Sequence, residues 1–408
     1  MNYADMALMQ IAGSGGGFDL STIIFYLVFF FIMPILYLRM NYWQSLLKLE
    51  TVANQMTEMS VNAKKIVLKK LSKNPDAQLK QQVSSFMEFF VIDPVNIDPY
   101  GIMGKIEHLV DLQERRFESF VDKIAPKADK ETQANLVMGL SGALSLHQIE
   151  KIIRHYVEIV KKTKNVQYAM IFSMQLPLIE RIAKALLTGT EALTNGWAIG
   201  DAAGPIVAAH MIGNASAREI EKDVLVVRKK IGSKTVYVMK AKGPGGRLGK
   251  LGKAVEKIAR KNRIAKIITI DAAAKLEGEK TGSIAEGVGV AIGGPGVDRS
   301  KIEGLATQAD IPIDSYVIKM GQEEAIMPIK KEVLEAVPHV IDFVEENIKS
   351  TREKGVIVVV GVGNTGGIGN NKQAALKTEE QAKKVLAIMK QREKKEKKKR
   401  DWFGWMGM

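Results

Sequence analysis

The longest uninterrupted run of apolar side chains lies near the start of the chain. From Leu20 to Leu38 the sequence reads LSTIIFYLVFFFIMPILYL, nineteen residues without a charge. As a helix this run is about 28 Å long, close to the ~30 Å hydrocarbon layer of a bilayer. The pattern predicts a transmembrane helix over 20–38, with Pro34 near its last turn. A cleaved signal peptide carries a basic start and a small-residue cleavage site. Residues 1–19 contain no Lys or Arg, and bulky Tyr37 and Leu38 close the run, so a retained anchor is the expectation. Asp5 and Asp19 precede the helix, whereas Arg39, Lys48, Lys64 and Lys65 follow it. Basic flanks stay on the cytoplasmic side, which predicts an external N-terminus and a cytosolic body at the cell membrane. The GSGGG of Gly13–Gly17 reads as part of an external flexible stub.

Beyond the anchor, apolar residues recur at helical spacing: Leu46, Leu49, Val52, Met56 and Met59, then Ile66, Leu68 and Leu71. One helix or two are expected over 42–90, broken by VIDPVNIDPYG at Val91–Gly101. Further helices are predicted over 102–124, 129–143, 145–163 and 165–188. After Leu187 the texture changes to glycines and short β-branched runs. These are VLVV (Val224–Val227), TVYVM (Thr235–Met239), KIITI (Lys266–Ile270), VGVAI (Val288–Ile292), DSYVIK (Asp314–Lys319) and VIVVV (Val356–Val360). Alternation with helical stretches at Lys250–Lys261 and Lys330–Ser350 predicts an α/β sheet, and continuous apolar runs suit strands covered on both faces. The organisation expected is therefore a stub (1–19), a transmembrane helix (20–38), an all-α cytosolic region (39–187), an α/β domain (188–375) and a basic helical tail with an aromatic end (376–408).

Composition narrows the chemistry. The chain has no cysteine, which removes thiol nucleophiles, Cys-ligated zinc and disulfides. It has five histidines, and only His147 and His155 fall on one probable helix. Mean hydropathy near zero argues against several membrane spans. Much of the +14 net charge gathers at Lys390–Arg400, where eight basic residues face two acidic ones ahead of Trp402, Phe403 and Trp405. Three readings of 390–405 stand side by side: a solvated helix end, a contact with anionic lipid headgroups, or a contact with RNA. A homo-oligomer fits an anchored helical stalk.

Chemistry is sought in three glycine-rich segments, Asn195–Gly213, Lys266–Gly296 and Gly355–Asn370. Asp271 directly follows a predicted strand, at the sheet edge where open α/β folds bind ligands. Asp201 sits in a turn that feeds an apolar helix, where an ordinary N-cap role competes with a catalytic one. A carboxylate pair can act as general acid and base on water. It can also hold a divalent metal ion, with His210 as a further ligand. A rival reading lets the amides of Gly245 and Gly246, or of Gly361, Gly363 and Asn364, cradle phosphate, with Lys240, Lys242 and Arg247 nearby. Gly361, Gly363 and Gly366 have the dinucleotide spacing, but no βαβ unit of about 30 residues follows and no P-loop occurs.

Two motifs carry a resemblance. IGDAAGP (Ile199–Pro205) and IDAAAK (Ile270–Lys275) resemble paired motifs of the germination protease and hydrogenase-maturation peptidase superfamily, which has a phosphorylase/hydrolase-like three-layer fold. The resemblance covers about 180 residues and implies that Asp201 and Asp271 are catalytic acids acting on a peptide or protein substrate. In that superfamily a strand ending Gly-x-Gly-Asn comes just before the first acidic turn. Here the matching strand, VIVVVGVGN (Val356–Asn364), comes last, which implies a circular permutation with Asn364 beside Asp201 and Asp271 facing both across one cleft. The whole chain, anchor included, is also similar to a family of archaeal membrane-anchored proteins of unknown function. Two further readings remain: a non-catalytic scaffold with a hydrolase-like domain, and a nucleotide- or RNA-binding membrane protein.

Overall fold

The apolar run does form a helix, and it continues far past its apolar part. A computed structural model describes residues 20–92, 94 and 101–405. The N-terminal stub with Asp5, Asp19 and Gly13–Gly17, and most of the Pro-bearing stretch after Ile92, lie outside the described residues. Helix α1 (Leu20–Leu27) passes through a π-helical turn, Val28–Ile32, into helix α2 (Met33–Leu71). Pro34 lacks the N–H that an α-helix needs at its position, and a local π adjustment is one way a helix absorbs that loss. Ile24–Leu38 is exposed throughout, and the helix is long and apolar enough to cross a membrane.

The remaining helices of the N-terminal half are α3 (Ala77–Phe86), α4 (Ile102–Ile124), α5 (Lys130–Thr163) and α6 (Val166–Asn195). Asp76 caps α3, accepting from the Leu79 amide at 2.7 Å. Two helices expected at 129–143 and 145–163 are a single one, because nothing between them breaks the chain and Leu144 and Leu146 are both buried. The last helix runs past Leu187 to Asn195.

The chain forms two compact units. In the first, Met1–Gln55 with Glu150–Glu180, Leu46, Leu49 and Val52 are buried, as are Ile153, Val157, Val160, Ala169 and Leu176. The second, Met56–Ile149 with Arg181–Met408, contains the sheet. Its strands are β1 (Arg218–Glu221), β2 (Val224–Ile231), β3 (Lys234–Ala241), β4 (Ile264–Ala274), β5 (Ile284–Val288), β6 (Ile313–Met320) and β7 (Val356–Gly361). They lie in the order β1-β2-β3-β7-β4-β6-β5. The central four, β3, β7, β4 and β6, are parallel, and the outer strands are antiparallel.

Alternate residues of the buried strands feed two cores. Val236, Val238, Ile268, Ile270, Ile357 and Val359 meet helices α7 (Ala203–Ile212), α11 (Lys331–Ser350) and α12 (Lys372–Trp405). Tyr237, Met239, Ile267, Val358 and Val360 meet α8 (Leu251–Ala259) and α9 (Val297–Ala309) on the other face. The three-layer α/β domain expected from the apolar runs is therefore what forms. A short helix, α10 (Gln322–Ile326), follows β6.

One expected strand is displaced. VGVAI does not pair as a unit: β5 covers Ile284–Val288, and the chain leaves the sheet at Gly289, whose φ is +103°. Beyond it, the Ala291 amide donates to the hydroxyls of Thr269 and Ser315 instead of to a ladder. Strand β1, with the polar sequence REIE, has no apolar run to announce it. The tail is helical through Trp405, and Arg392 pairs with Glu191 at 2.8 Å. The side chains of Trp402, Phe403 and Trp405 lie outside the described residues.

Helix α7 is buried at every position except His210, and it lies against β3, β7 and β4. This is possible because Gly204 has no side chain: a Cβ there would stand 2.2 Å from the Ile270 carbonyl oxygen and 2.3 Å from that of Val362. Backbone atoms cannot yield as a side-chain tip can. Gly204→Ala is therefore expected to cost about 3 kcal/mol or more, read as a fall in thermal midpoint or a failure to fold. Gly304, inside α9 with open space around it, is the control. Gly304→Ala is expected to stabilise by roughly 0.5–1 kcal/mol, since alanine is the better helix former.

Candidate functional site

Three chain segments meet at the C-terminal ends of the central parallel strands. The first is the 3-10 turn Gly200–Ala202, which carries Asp201 into the N-terminus of α7. The second is the end of β4, where Ile270 pairs with Gly361 of β7 and Asp271 with Val317 of β6. The third is the loop after β7, Val362–Asn364. Strand β7 comes last in the α/β domain yet lies between β3 and β4. That position brings its Gly-Val-Gly-Asn end beside both aspartates.

Asn364 lies next to Asp201, its backbone N–H donating to Asp201 Oδ2 at 2.8 Å. The approach is backbone on backbone: a Cβ at Gly363 would lie 1.9 Å from the Asp201 carbonyl oxygen, and φ is +128° there. Only glycine fits. The Asn364 side chain turns inward, accepting from the Gly366 amide at 2.8 Å. Asp271 is 6% exposed. Its Oδ1 accepts from the Ala272 amide at 2.7 Å, and the Gly293 amide donates to the same carboxyl. Gly293 belongs to the loop Gly289–Gly296, exposed at Gly293–Pro295, so the carboxyl sits beneath a thin glycine-rich cover.

Electrostatics separate the two acids. Burial pushes the Asp201 carboxyl up to about 6, opposed by the hydrogen bond from Asn364. Burial and then the negative charge of Asp201 push Asp271 up to about 8. Two carboxylates near one another in a poorly solvated place do not both ionise readily. At neutral pH the arrangement is one carboxylate, Asp201, and one carboxylic acid, Asp271. Such a pair can accept and donate protons at once.

The other candidate residues are used differently. His210, at the far end of α7, pairs with Glu379 at 2.7 Å and is not brought to the aspartates. The further acids that follow Asp271 in the chain, each a candidate by its nearness in sequence, are also engaged: Glu277 pairs with Arg181, Glu279 with Lys319, and Glu286 accepts from the Tyr316 hydroxyl. Gly361 packs against Ala208 of α7. The Gly245 and Gly246 amides donate to Glu131 Oε2 at 2.6 Å and Asn135 Oδ1 at 2.8 Å. Arg247 pairs with Glu131 and Asp223, and Lys242 with Glu219. Lys240 is fully buried, donating to the Ala241 carbonyl and to Asn370 Oδ1, and burial lowers its ammonium to about 7. Another acidic group, Glu114, Glu118 and Asp223, gathers within 4.8 Å. Lys222 and Arg247 already supply its counter-charge.

Sequence reasoning missed Glu131 and Asn135, which hold the Gly-Pro-Gly-Gly loop from a helix more than a hundred residues away. Nothing in their local pattern marks them. Thr365 was missed too: its hydroxyl meets the carbonyls of Lys242, Gly245 and Arg247.

No curated protein and no solved structure matches the chain. The N-terminal domain described as protein of unknown function (DUF1512) matches residues 23–196, and the C-terminal domain of unknown function (DUF1512) matches residues 199–369. The join falls between the end of α6 and the turn that carries Asp201, so the helical half and the sheet half are the family's own two parts. The chain belongs to the DUF1512 family and carries both of its domains in order.

Proposed function

We propose that the protein is a membrane-anchored hydrolase that cleaves peptide bonds with Asp201 and Asp271. The observation that carries this is the acid pair itself: two carboxyls, seventy residues apart, share one poorly solvated place and divide their protonation around neutrality. Enzymes shift carboxyl groups in this way where acid and base act together. The likeness of IGDAAGP and IDAAAK to the germination-protease motifs supports peptide over other substrates, and the position of β7 beside β4 supports the permuted arrangement. The uncharged run at Leu20–Leu38 supports the anchor, and its flanking charges support a cytosolic body.

In this reading Asp201 takes a proton from a water molecule as the water oxygen bonds to the scissile carbonyl carbon. The protonated Asp271 gives its proton to the departing amine as the C–N bond breaks. A proton then returns from Asp201 to Asp271 through solvent, and the pair is restored. A divalent cation held by the same oxygens is the alternative route to an activated water, and lack of sensitivity to chelators separates the two. Phosphate cradling by Gly245 and Gly246 is not part of the proposal, because their amides are already engaged.

The full chain, incubated with a fluorogenic peptide library, is expected to show cleavage rising through about pH 6 and falling through about pH 8. Asp201→Asn and Asp271→Asn are each expected to lower kcat about 10²- to 10⁴-fold, the usual worth of a general acid or base. Full turnover in either variant, or no cleavage of any peptide by the wild type, would end the proposal.

Stability gives a separate readout. Both carboxyls keep their protons to higher pH when folded than when unfolded, where they titrate near 3.9. Folding therefore takes up protons, and stability falls as pH rises from about 4 to about 8. Asp271→Asn removes the larger part of that loss and leaves the share of Asp201, which is complete a little above pH 6. It is expected to melt several degrees above the wild type at alkaline pH and to match it near pH 4. A variant that melts below the wild type across the whole range would mark Asp271 as a purely structural acid.

A further inference from the structure

Helix α6 begins with fourteen uncharged residues, VQYAMIFSMQLPLI, at Val166–Ile179. One face of this stretch is spoken for within the first compact unit: Ala169 and Leu176 are buried, and Phe172 stacks on Tyr156 with ring centres 4.2 Å apart. The opposite face is exposed and uncharged, with Gln167 and Gln175 as its polar members among large apolar side chains. Tyr168, Ile171, Met174 and Leu178 follow one another at helical spacing, with Met174 78% exposed. A surface helix normally turns a charged or polar face to water.

The direction of this stripe limits what can cover it. Lys161 pairs with Glu50 at 2.6 Å, while the earlier residues Val157 and Glu158 share a cavity wall with the later residues Ala53 and Asn54. The end of α5 therefore runs antiparallel to α2, and the turn at Lys164–Asn165 points back toward the apolar run. Tyr42, just past that run, donates to the Val160 carbonyl near the same turn. From the turn α6 leads away again, level with α5, as the Tyr156–Phe172 stack requires. The stripe thus climbs along the axis of the anchor helix for about 15 Å. Level with residues of α2 well past Leu38, Met174 and Leu178 stand clear of a bilayer that holds Leu20–Leu38.

We infer that this stripe is the contact between two copies of the chain, with Met174 close to the two-fold axis. The inference rests on the anchored reading, because chains tethered in one membrane meet with their stripes upright and at a raised effective concentration. An isologous contact needs one self-complementary patch, and an uncharged apolar stripe is that. An acidic or basic partner finds no counter-charge here.

The chain has no cysteine, so Met174→Cys gives a single reactive thiol in the otherwise unchanged full-length protein. Membranes from expressing cells are treated with copper phenanthroline and examined without reductant. A band of twice the chain's mass is expected to form about tenfold faster than from Asn74→Cys, an exposed position in another unit. In Leu178→Cys the same band is expected, and adding Met174→Glu is expected to abolish it while circular dichroism stays unchanged. Crosslinking of Met174→Cys no faster than of Asn74→Cys overturns the inference, as does an unaffected Leu178→Cys dimer in the presence of Met174→Glu. Carbonate extraction of the same membranes tests the anchor separately. A chain released by carbonate ends the anchored reading, whereas an anchored chain that fails to crosslink ends only the dimer.

Discussion

The candidate site depends on a contact between three pieces of main chain. Gly204 at the start of α7 presses on the carbonyls of Ile270 and Val362, and Gly363 presses on that of Asp201. The Val362 amide in turn donates to the Ile270 carbonyl at 2.8 Å. A methyl group at either glycine separates the turn from the strand ends by more than any side-chain adjustment recovers. The close approach fixes where Asp201 begins its helix, and so fixes its carboxyl relative to the end of β4. Packing of the same helix across β3, β7 and β4 makes the arrangement rigid, because nine of its ten residues are buried. The acid pair is thus a consequence of how the domain's most buried helix is seated.

Much of this was legible in the amino-acid order, for identifiable reasons. VIVVV and KIITI announced central strands because strands covered on both faces need apolar residues at every position. Asp271 was visible as the acid that follows KIITI, although the strand does not end before it: β4 runs on to Ala274 and pairs Asp271 with Val317, and only the neighbour β7 stops at that level. The adjacency of Asn364 and Asp201 followed only from the resemblance, since nothing local links residues so far apart. The displaced VGVAI shows the limit of pattern reading. A β-branched run looks like a strand, yet a glycine at positive φ can end the ladder inside it, and hydroxyls from Thr269 and Ser315 then hold the freed amide. Charged REIE could not be seen as a strand, because edge strands owe their pairing to neighbours more than to their own composition.

The glycine-rich loops teach a related lesson. Backbone amides in the Gly-Pro-Gly-Gly segment have the composition of an anion cradle, and the structure supplies the anion from within: the Glu131 carboxylate. Asn370 accepts from both Lys240 and the Gly243 amide and donates back to the Gly243 carbonyl. Thr365 ties the same loop to the segment after β7. A buried lysine and a side-chain amide therefore do for these two loops what a bound phosphate does elsewhere. The glycines are there so that main chains can touch. Their conformational freedom costs stability, and the network around Lys240 offsets it by satisfying every donor it reaches. Thr365 thus anchors the loop right after Asn364, whose amide donates to Asp201.

The two acids differ because their surroundings differ in kind. Asp201 lies in the 3-10 turn just before α7 and makes no capping hydrogen bond to that helix, so the N-cap role open to it in the sequence is not the one it takes. It accepts from the Asn364 amide and retains partial contact with solvent. Asp271 is held in a more enclosed place with two amide donors and a negative neighbour. Removing Asp201's charge relieves one of the two causes that raise Asp271, whereas the burial of Asp271 persists. Asp201 is therefore set by burial against the Asn364 amide, and Asp271 by its own burial and by the charge of Asp201. The proposed chemistry, which needs one of each at neutral pH, is served by that order of dependence, because ionising the first carboxyl adds to the burial that keeps the second protonated.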